Sequence, residues 1–157
     1  LFYYTTTFGE EPLYLNKEQF QEMTGHCREE YPKESCGILA GKISPQSTVD
    51  SQRLKLVNKV YRMANVSEKP EICYFMRPAE QFKVFKEMRT LGIEMLGIYH
   101  SHIGTPAYPS QRDCEMAFYP ETSYVIVSLQ DFNKPEIRSF KILDGKIKEE
   151  KIMVQEN

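Results

Sequence analysis

Met95-Leu96-Gly97-Ile98-Tyr99-His100-Ser101-His102 is the stretch that decides how this sequence folds and what it does. A short apolar run delivers two of the chain's three histidines, two positions apart. In a β-strand, residues i and i+2 project to the same face, so both imidazoles converge on one point. Asp113 follows on a short loop and can add a carboxylate oxygen. Two nitrogens and one oxygen make a three-ligand set of the kind catalytic zinc uses, with the fourth position left for water. Such a set points to a hydrolase rather than to a structural metal clip.

Outward from that strand, helical and extended signals alternate. Asn16 with Gln19 has the form of a capping box, and Phe20, Met23, Cys27 and Tyr31 recur at helical spacing before Pro32. They predict a helix over about 17–30. The apolar run Ser35 to Gly41 predicts a buried strand, and 48–60 a second one. Residues 61–76 show no clear period and read as a long connection that could carry function. Pro78 suits a first helical turn, Phe82, Phe85, Met88 and Leu91 form the expected stripe, and Gly92 ends it. A short helix over about 111–118 follows the metal loop. Tyr124 to Leu129 is a β-branched central strand, and Asp144-Gly145 joins 136–143 to 146–154 as a hairpin. The order αββαβαβββ predicts one α/β domain, a mixed sheet with helices packed on it. That domain is expected over 13–157, after an N-terminal extension at 1–12.

Bulk properties narrow the partners. A chain of 157 residues fits one domain with a proper core. A formal net charge of −2 offers no basic field for a phosphate backbone, so no nucleic acid is expected. No apolar run approaches the roughly 20 residues that span a bilayer, so no membrane is expected either. Cys27, Cys36, Cys73 and Cys114 are scattered and make no C-x-x-C pair. Free thiols in a reducing cytoplasm are the expectation.

A zinc ion on His100, His102 and Asp113 would bring the pKa of its water from 15.7 to about 7. The reaction then needs a proton shuttle. Glu34, at the mouth of the 35–41 strand, leads among the many glutamates, though spacing alone does not select it. Ser110 offers a hydroxyl donor, but Ser110-x-x-Asp113 is also a plausible helix N-cap with an acid in the first turn. His26 reads as a surface or satisfied core residue. Gly37 and Gly41 read as strand ends or points of close backbone approach.

His100-Ser101-His102, seven residues, Ser110, two residues and Asp113 resemble the H-x-H-x7-S-x-x-D signature of the JAMM (MPN+) metalloproteases. Pro32 to Gly41 is similar to that family's upstream block, in which a glutamate precedes a Cys/Gly-rich strand. At ordinary residue frequencies the four-residue spacing alone would arise in about one in several thousand chains of this length. The likeness covers about residues 13–143. It implies an MPN fold with cytidine-deaminase-like layering and one zinc per chain with a catalytic water. The resemblance makes His100, His102 and Asp113 the ligands, Glu34 the general acid/base and Ser110 the stabiliser of the tetrahedral intermediate. It also implies cleavage after the carboxy-terminal diglycine of a ubiquitin-like protein. One departure is Ile103-Gly104, where many members have proline after the second histidine.

Only about nine residues separate Asp113 from Ser123, which leaves little room for the insertions that grip a second ubiquitin. The compact size resembles the short prokaryotic members, some of which act on a ubiquitin-like sulfur carrier, and that resemblance makes such a carrier the favoured substrate. Deubiquitinase-like isopeptidase activity and a non-catalytic MPN scaffold are the alternatives. A zinc deaminase would need P-C-x-x-C, and a zincin H-E-x-x-H; both are absent.

Overall fold

The Asn16 side chain accepts from Gln19 N (2.8 Å) while Gln19 Oε1 accepts from Asn16 N (2.9 Å), the reciprocal pair that starts a helix. Helix α1 (Lys17–Glu30) follows from it. Gln19 also ties the helix to the sheet, donating through Nε2 to Val57 O at 2.7 Å. The computed structural model describes residues 11–45 and 53–155. The remaining elements are β1 (Leu13–Leu15), β2 (Cys36–Ile43), β3 (Lys55–Met63), α2 (Pro78–Leu91), β4 (Glu94–His102) and α3 (Gln111–Glu115), then β5 (Ser123–Ser128), β6 (Glu136–Leu143), β7 (Lys146–Glu150) and β8 (Ile152–Val154).

The strands form one mixed sheet in the order β7-β6-β5-β4-β2-β3-β1-β8. Strand β2 lies between β3 and β4 and runs antiparallel to both, and β4 runs parallel to β5. The α/β expectation of a mixed sheet with helices packed on it therefore holds. One face packs Ile38, Ile98, Tyr124 and Ile126 against Val84 and Met88 of α2. The other packs Leu39, Tyr99, Val125 and Val127 against Met23 and Cys27 of α1. β4 lies inside the sheet with both faces covered, so its side chains are placed by packing on all sides.

Several boundaries differ from the sequence reading. β3 runs on to Met63, because Cys36↔Met63 and Ile38↔Tyr61 continue its ladder with β2 and bury Tyr61 and Met63. The residues 46–52 of the predicted second strand lie outside the described residues. In α2 the buried residues are Val84 and Met88, whereas Phe82 and Leu91 of the expected stripe are exposed. Phe85 packs only partly, so the buried stripe is rotated towards Val84. Tyr31 caps α1 and is exposed, with its ring set edge-on against Phe132. Helix α3 is shorter than 111–118.

The end of the chain holds the largest difference. Asp144 (φ 50°) and Gly145 (φ 74°) form the expected two-residue turn between β6 and β7. The expected strand 146–154, however, divides at Lys151. Its first part stays on β6 and its second part, β8, pairs with β1 at the opposite edge. The sheet thus curls until its two edges meet, with Leu13 N donating to Lys151 O at 3.1 Å. Buried Lys55 fills that junction, donating to Ser123 Oγ (2.7 Å) with Glu150 Oε2 at 3.8 Å. Of the expected extension 1–12, residues 1–10 lie outside the described residues. Pro12 O already accepts from Lys55 N, so the sheet edge begins slightly before 13.

Candidate metal centre

His100 and His102 end β4, and Ser101 between them points to the other face, as the period of two requires. Ser101 clips β4 to the start of β2: its Oγ accepts from Ser35 N (2.8 Å), and its own N donates to Ser35 O (3.1 Å). Cys36 stands opposite His100 in the same ladder. Two residues upstream of Cys36, that register brings Glu34 beside the histidine end of β4. Gly37 is needed here for space, since a Cβ would collide with the buried ring of Tyr99. The hydroxyl of that ring shares a 2.7 Å hydrogen bond with His26 Nδ1, which makes His26 a satisfied core histidine.

Asp113 arrives from α3. Ser110 caps that helix by a full capping box, its Oγ accepting from Asp113 N (3.1 Å) while its own N donates to Asp113 Oδ2 (2.8 Å). The capping reading of Ser110-x-x-Asp113 is thus correct, and the cap orients the carboxylate. The three donors then form a tight triangle. His100 Nε2 and His102 Nε2 lie 3.1 Å apart, His102 Nε2 is 3.1 Å from Asp113 Oδ2, and His100 Nε2 is 3.2 Å from Asp113 Oδ1. Ligands about 2.0–2.1 Å from a tetrahedral zinc stand roughly 3.3 Å from one another, so the donor set fits that ion. These three are the described residues able to hold a metal together.

The surroundings prepare these three side chains. His102 Nδ1 donates to Pro106 O at 2.9 Å, which fixes its tautomer and leaves Nε2 as the inward lone pair. Burial disfavours the charged His102 ring, but the Asp113 and Pro106 hydrogen bonds outweigh it and raise its pKa. Burial would raise the Asp113 pKa; His100 and His102 reverse this and hold the carboxyl well below its ordinary range. Burial pushes the Glu34 carboxyl up, with His100, His102 and Arg112 pulling against it and Asp113 adding to it. Glu34 is 4% exposed, and its backbone is held by Pro70 O and by Asn65 Nδ2, which donates to Glu34 O at 2.8 Å.

The loop carrying Ile103-Gly104 is secured without the proline. Leu129 N donates to His102 O (2.8 Å), Ser128 Oγ to Thr105 O (2.6 Å) and Gln130 Nε2 to Gly104 O (3.2 Å). The sequence reading missed Ser101, Pro106 and Tyr74. Tyr74 stacks on His100, with centroids 4.6 Å apart at 29°, and comes from the connection flagged as able to carry function. His100 Nδ1 is buried with no hydrogen-bond partner among the described residues, so ring stacking braces this imidazole where a second hydrogen bond does not. The four cysteines are free thiols, and none belongs to the triangle.

A family model described as prokaryotic homologs of the JAB domain matches residues 16–143. The chain is 35% identical over 144 residues to the CysO-cysteine peptidase of Mycobacterium tuberculosis, covering 92% of each. It is 31% identical to a probable TtuB-protein conjugate cleaving protease of Thermus thermophilus, covering 85% of this chain and 78% of the other. Among solved structures, protein DSY2949 of Desulfitobacterium hafniense superposes with a TM-score of 0.77 at 39% identity, covering 92% of this chain and 94% of that one. AF2198, a JAB1/MPN domain protein of Archaeoglobus fulgidus, shares the fold with a TM-score of 0.56 at 14% identity, covering 94% of this chain and 99% of that one.

Proposed function

Because this chain belongs to the prokaryotic JAB-domain family, we propose that it is a zinc-dependent peptidase cleaving after the carboxy-terminal diglycine of a ubiquitin-like sulfur carrier. One observation carries the reading: the 3.1–3.2 Å triangle of His100, His102 and Asp113 beside a buried glutamate. The catalytic domain is taken as 13–157, with one zinc per chain, acting in the cytoplasm.

Zinc, when bound, supplies Lewis acidity that makes water acidic and polarises a carbonyl. The chain's own residues do the rest. Glu34 accepts a proton as water adds to the last glycine's carbonyl carbon, and its burial favours holding that proton. It then delivers the proton to the departing nitrogen as the C–N bond breaks. Ser110 Oγ accepts from Asp113 N, which leaves its hydroxyl proton free to donate to the developing oxyanion. The exposed groups Phe75, Met116 and Phe118 line the cavity that reaches Asp113 and suit an extended apolar tail. A diglycine suits the site because, without Cβ atoms, its backbone can approach the three donors closely.

The test is a carrier fusion followed by intact mass. His102→Ala is expected to lose most of its zinc, and Glu34→Gln to keep zinc but lose turnover. A Glu34→Gln protein that cleaves normally removes Glu34 from the mechanism. Full zinc and activity in His102→Ala removes the site.

A further inference from the structure

Two cavities meet beside Asp113. One, of about 140 Å³, is walled mainly by apolar groups, among them Tyr74, Met76, Ile98 and Met116, and reaches Asp113. The other, of about 490 Å³, is more open and less strongly apolar, and carries Lys69 and Glu68. They share Cys73, Phe75 and Arg112. Arg112 is the cation common to both. It is exposed, and its guanidinium makes no hydrogen bond or ion pair among the described residues. It is held next to Asp113 by the capped α3, and its charge is felt at Glu34.

We propose that Arg112 reads the free α-carboxylate of a single amino acid attached to the carrier's last glycine, so that the enzyme prefers a chain-terminal residue to a lysine-linked protein. This rests on the peptidase reading above. A terminal amino acid bears its carboxylate on the carbon next to the scissile nitrogen, so that anion is carried close to the Asp113 and Glu34 carboxylates. Without a cation it would be repelled; Arg112, with Lys69 beyond it, offsets the repulsion and can hold the carboxylate through paired N–H donors. A lysine side chain linked to the same glycine brings a neutral alkyl stem there and gains nothing from Arg112. Hydrolysis breaks the glycine C–N bond, water supplies hydroxyl to the glycine and a proton to the amine, and the free amino acid departs with its carboxylate still on Arg112.

The experiment compares two substrates, a carrier ending Gly-Gly-Cys as the acid and the same tail as the carboxamide. The wild type is expected to favour the acid in kcat/KM by about tenfold to a hundredfold. In Arg112→Gln the acid-to-amide ratio is expected to fall to within about threefold, and Arg112→Lys to recover part of it. Equal cleavage of acid and amide by the wild type, or an unchanged ratio in Arg112→Gln, overturns the assignment while leaving the peptidase reading intact. Cleavage of neither tail overturns both.

Discussion

At the scale of single residues, the site is a set of short contacts whose partners do separable jobs. Ser110 caps α3 through Asp113 N, and the proposed mechanism also assigns its hydroxyl to the oxyanion. Ser110→Ala is expected to cost about 1 kcal/mol of stability as a lost cap. It should lower kcat by about 10²–10³ if the hydroxyl serves the oxyanion. Thermal unfolding and steady-state kinetics on one preparation separate the two, and a kcat loss below tenfold leaves only the cap. Tyr74 is different, since it braces a proposed ligand and stands in for the hydrogen bond that His100 Nδ1 lacks among the described residues. Tyr74→Leu is expected to weaken zinc binding by about tenfold, whereas Tyr74→Phe keeps the ring and stays near wild type. Competition with a chromophoric chelator reads this directly, and equal affinity in Tyr74→Leu would contradict the role.

At the scale of elements, β2 is the spine that sets β4, and its glycines make room for the neighbours. A Cβ at Gly41 would run into the backbone of Leu56 on β3, at the register shift between Ala40 and Gly41. Backbone cannot step aside as a side chain tip can. Gly41→Ala is expected to cost roughly 1–3 kcal/mol, about 2–12 °C in Tm for a chain of this size. A melting curve within 1 °C or so of wild type would show that the bulge relaxes. Elements such as α1 and the Asp144-Gly145 turn were legible because their signals are local: a capping pair and two residues at positive φ. The His100–His102–Asp113 set was legible for a similar reason, since period two and an N-cap place all three. The course of 61–76 was not, because Tyr61 and Met63 are extended by pairing with residues far away at Cys36 and Ile38. Ser101 and Tyr74 were hidden for the same cause, as their partners, Ser35 and His100, lie far away in the sequence.

At the scale of the molecule, closure of the sheet depends on a division at Lys151 that no periodicity announces, and on a buried lysine where the edges meet. Lys55 is 2% exposed; burial lowers its pKa from the ordinary lysine value, and the Glu150 charge only partly opposes this. With the folded value below the unfolded one, the unfolded chain binds more protons between the two, so this group's contribution to stability rises with pH there. The stability of the wild type relative to Lys55→Met is therefore expected to improve between pH 7 and about 10, as read by urea denaturation of both proteins. Parallel curves across that range would show that the lysine titrates normally. The same curled sheet brings His100, His102 and Asp113 together, with Arg112 lining the cavity that reaches Asp113.

Cleavage of matched carrier fusions by the unaltered zinc-loaded protein tests the central claim most directly. One fusion ends its carrier segment in Gly-Gly and the other in Ala-Ala, and intact mass spectrometry locates the cut. The proposed zinc peptidase is expected to cut after the second glycine and to cut the dialanine fusion far more slowly, because glycines, without Cβ atoms, let the tail's backbone come close to the site. Equal cleavage of both tails, or a cut elsewhere in the fusion, would contradict it.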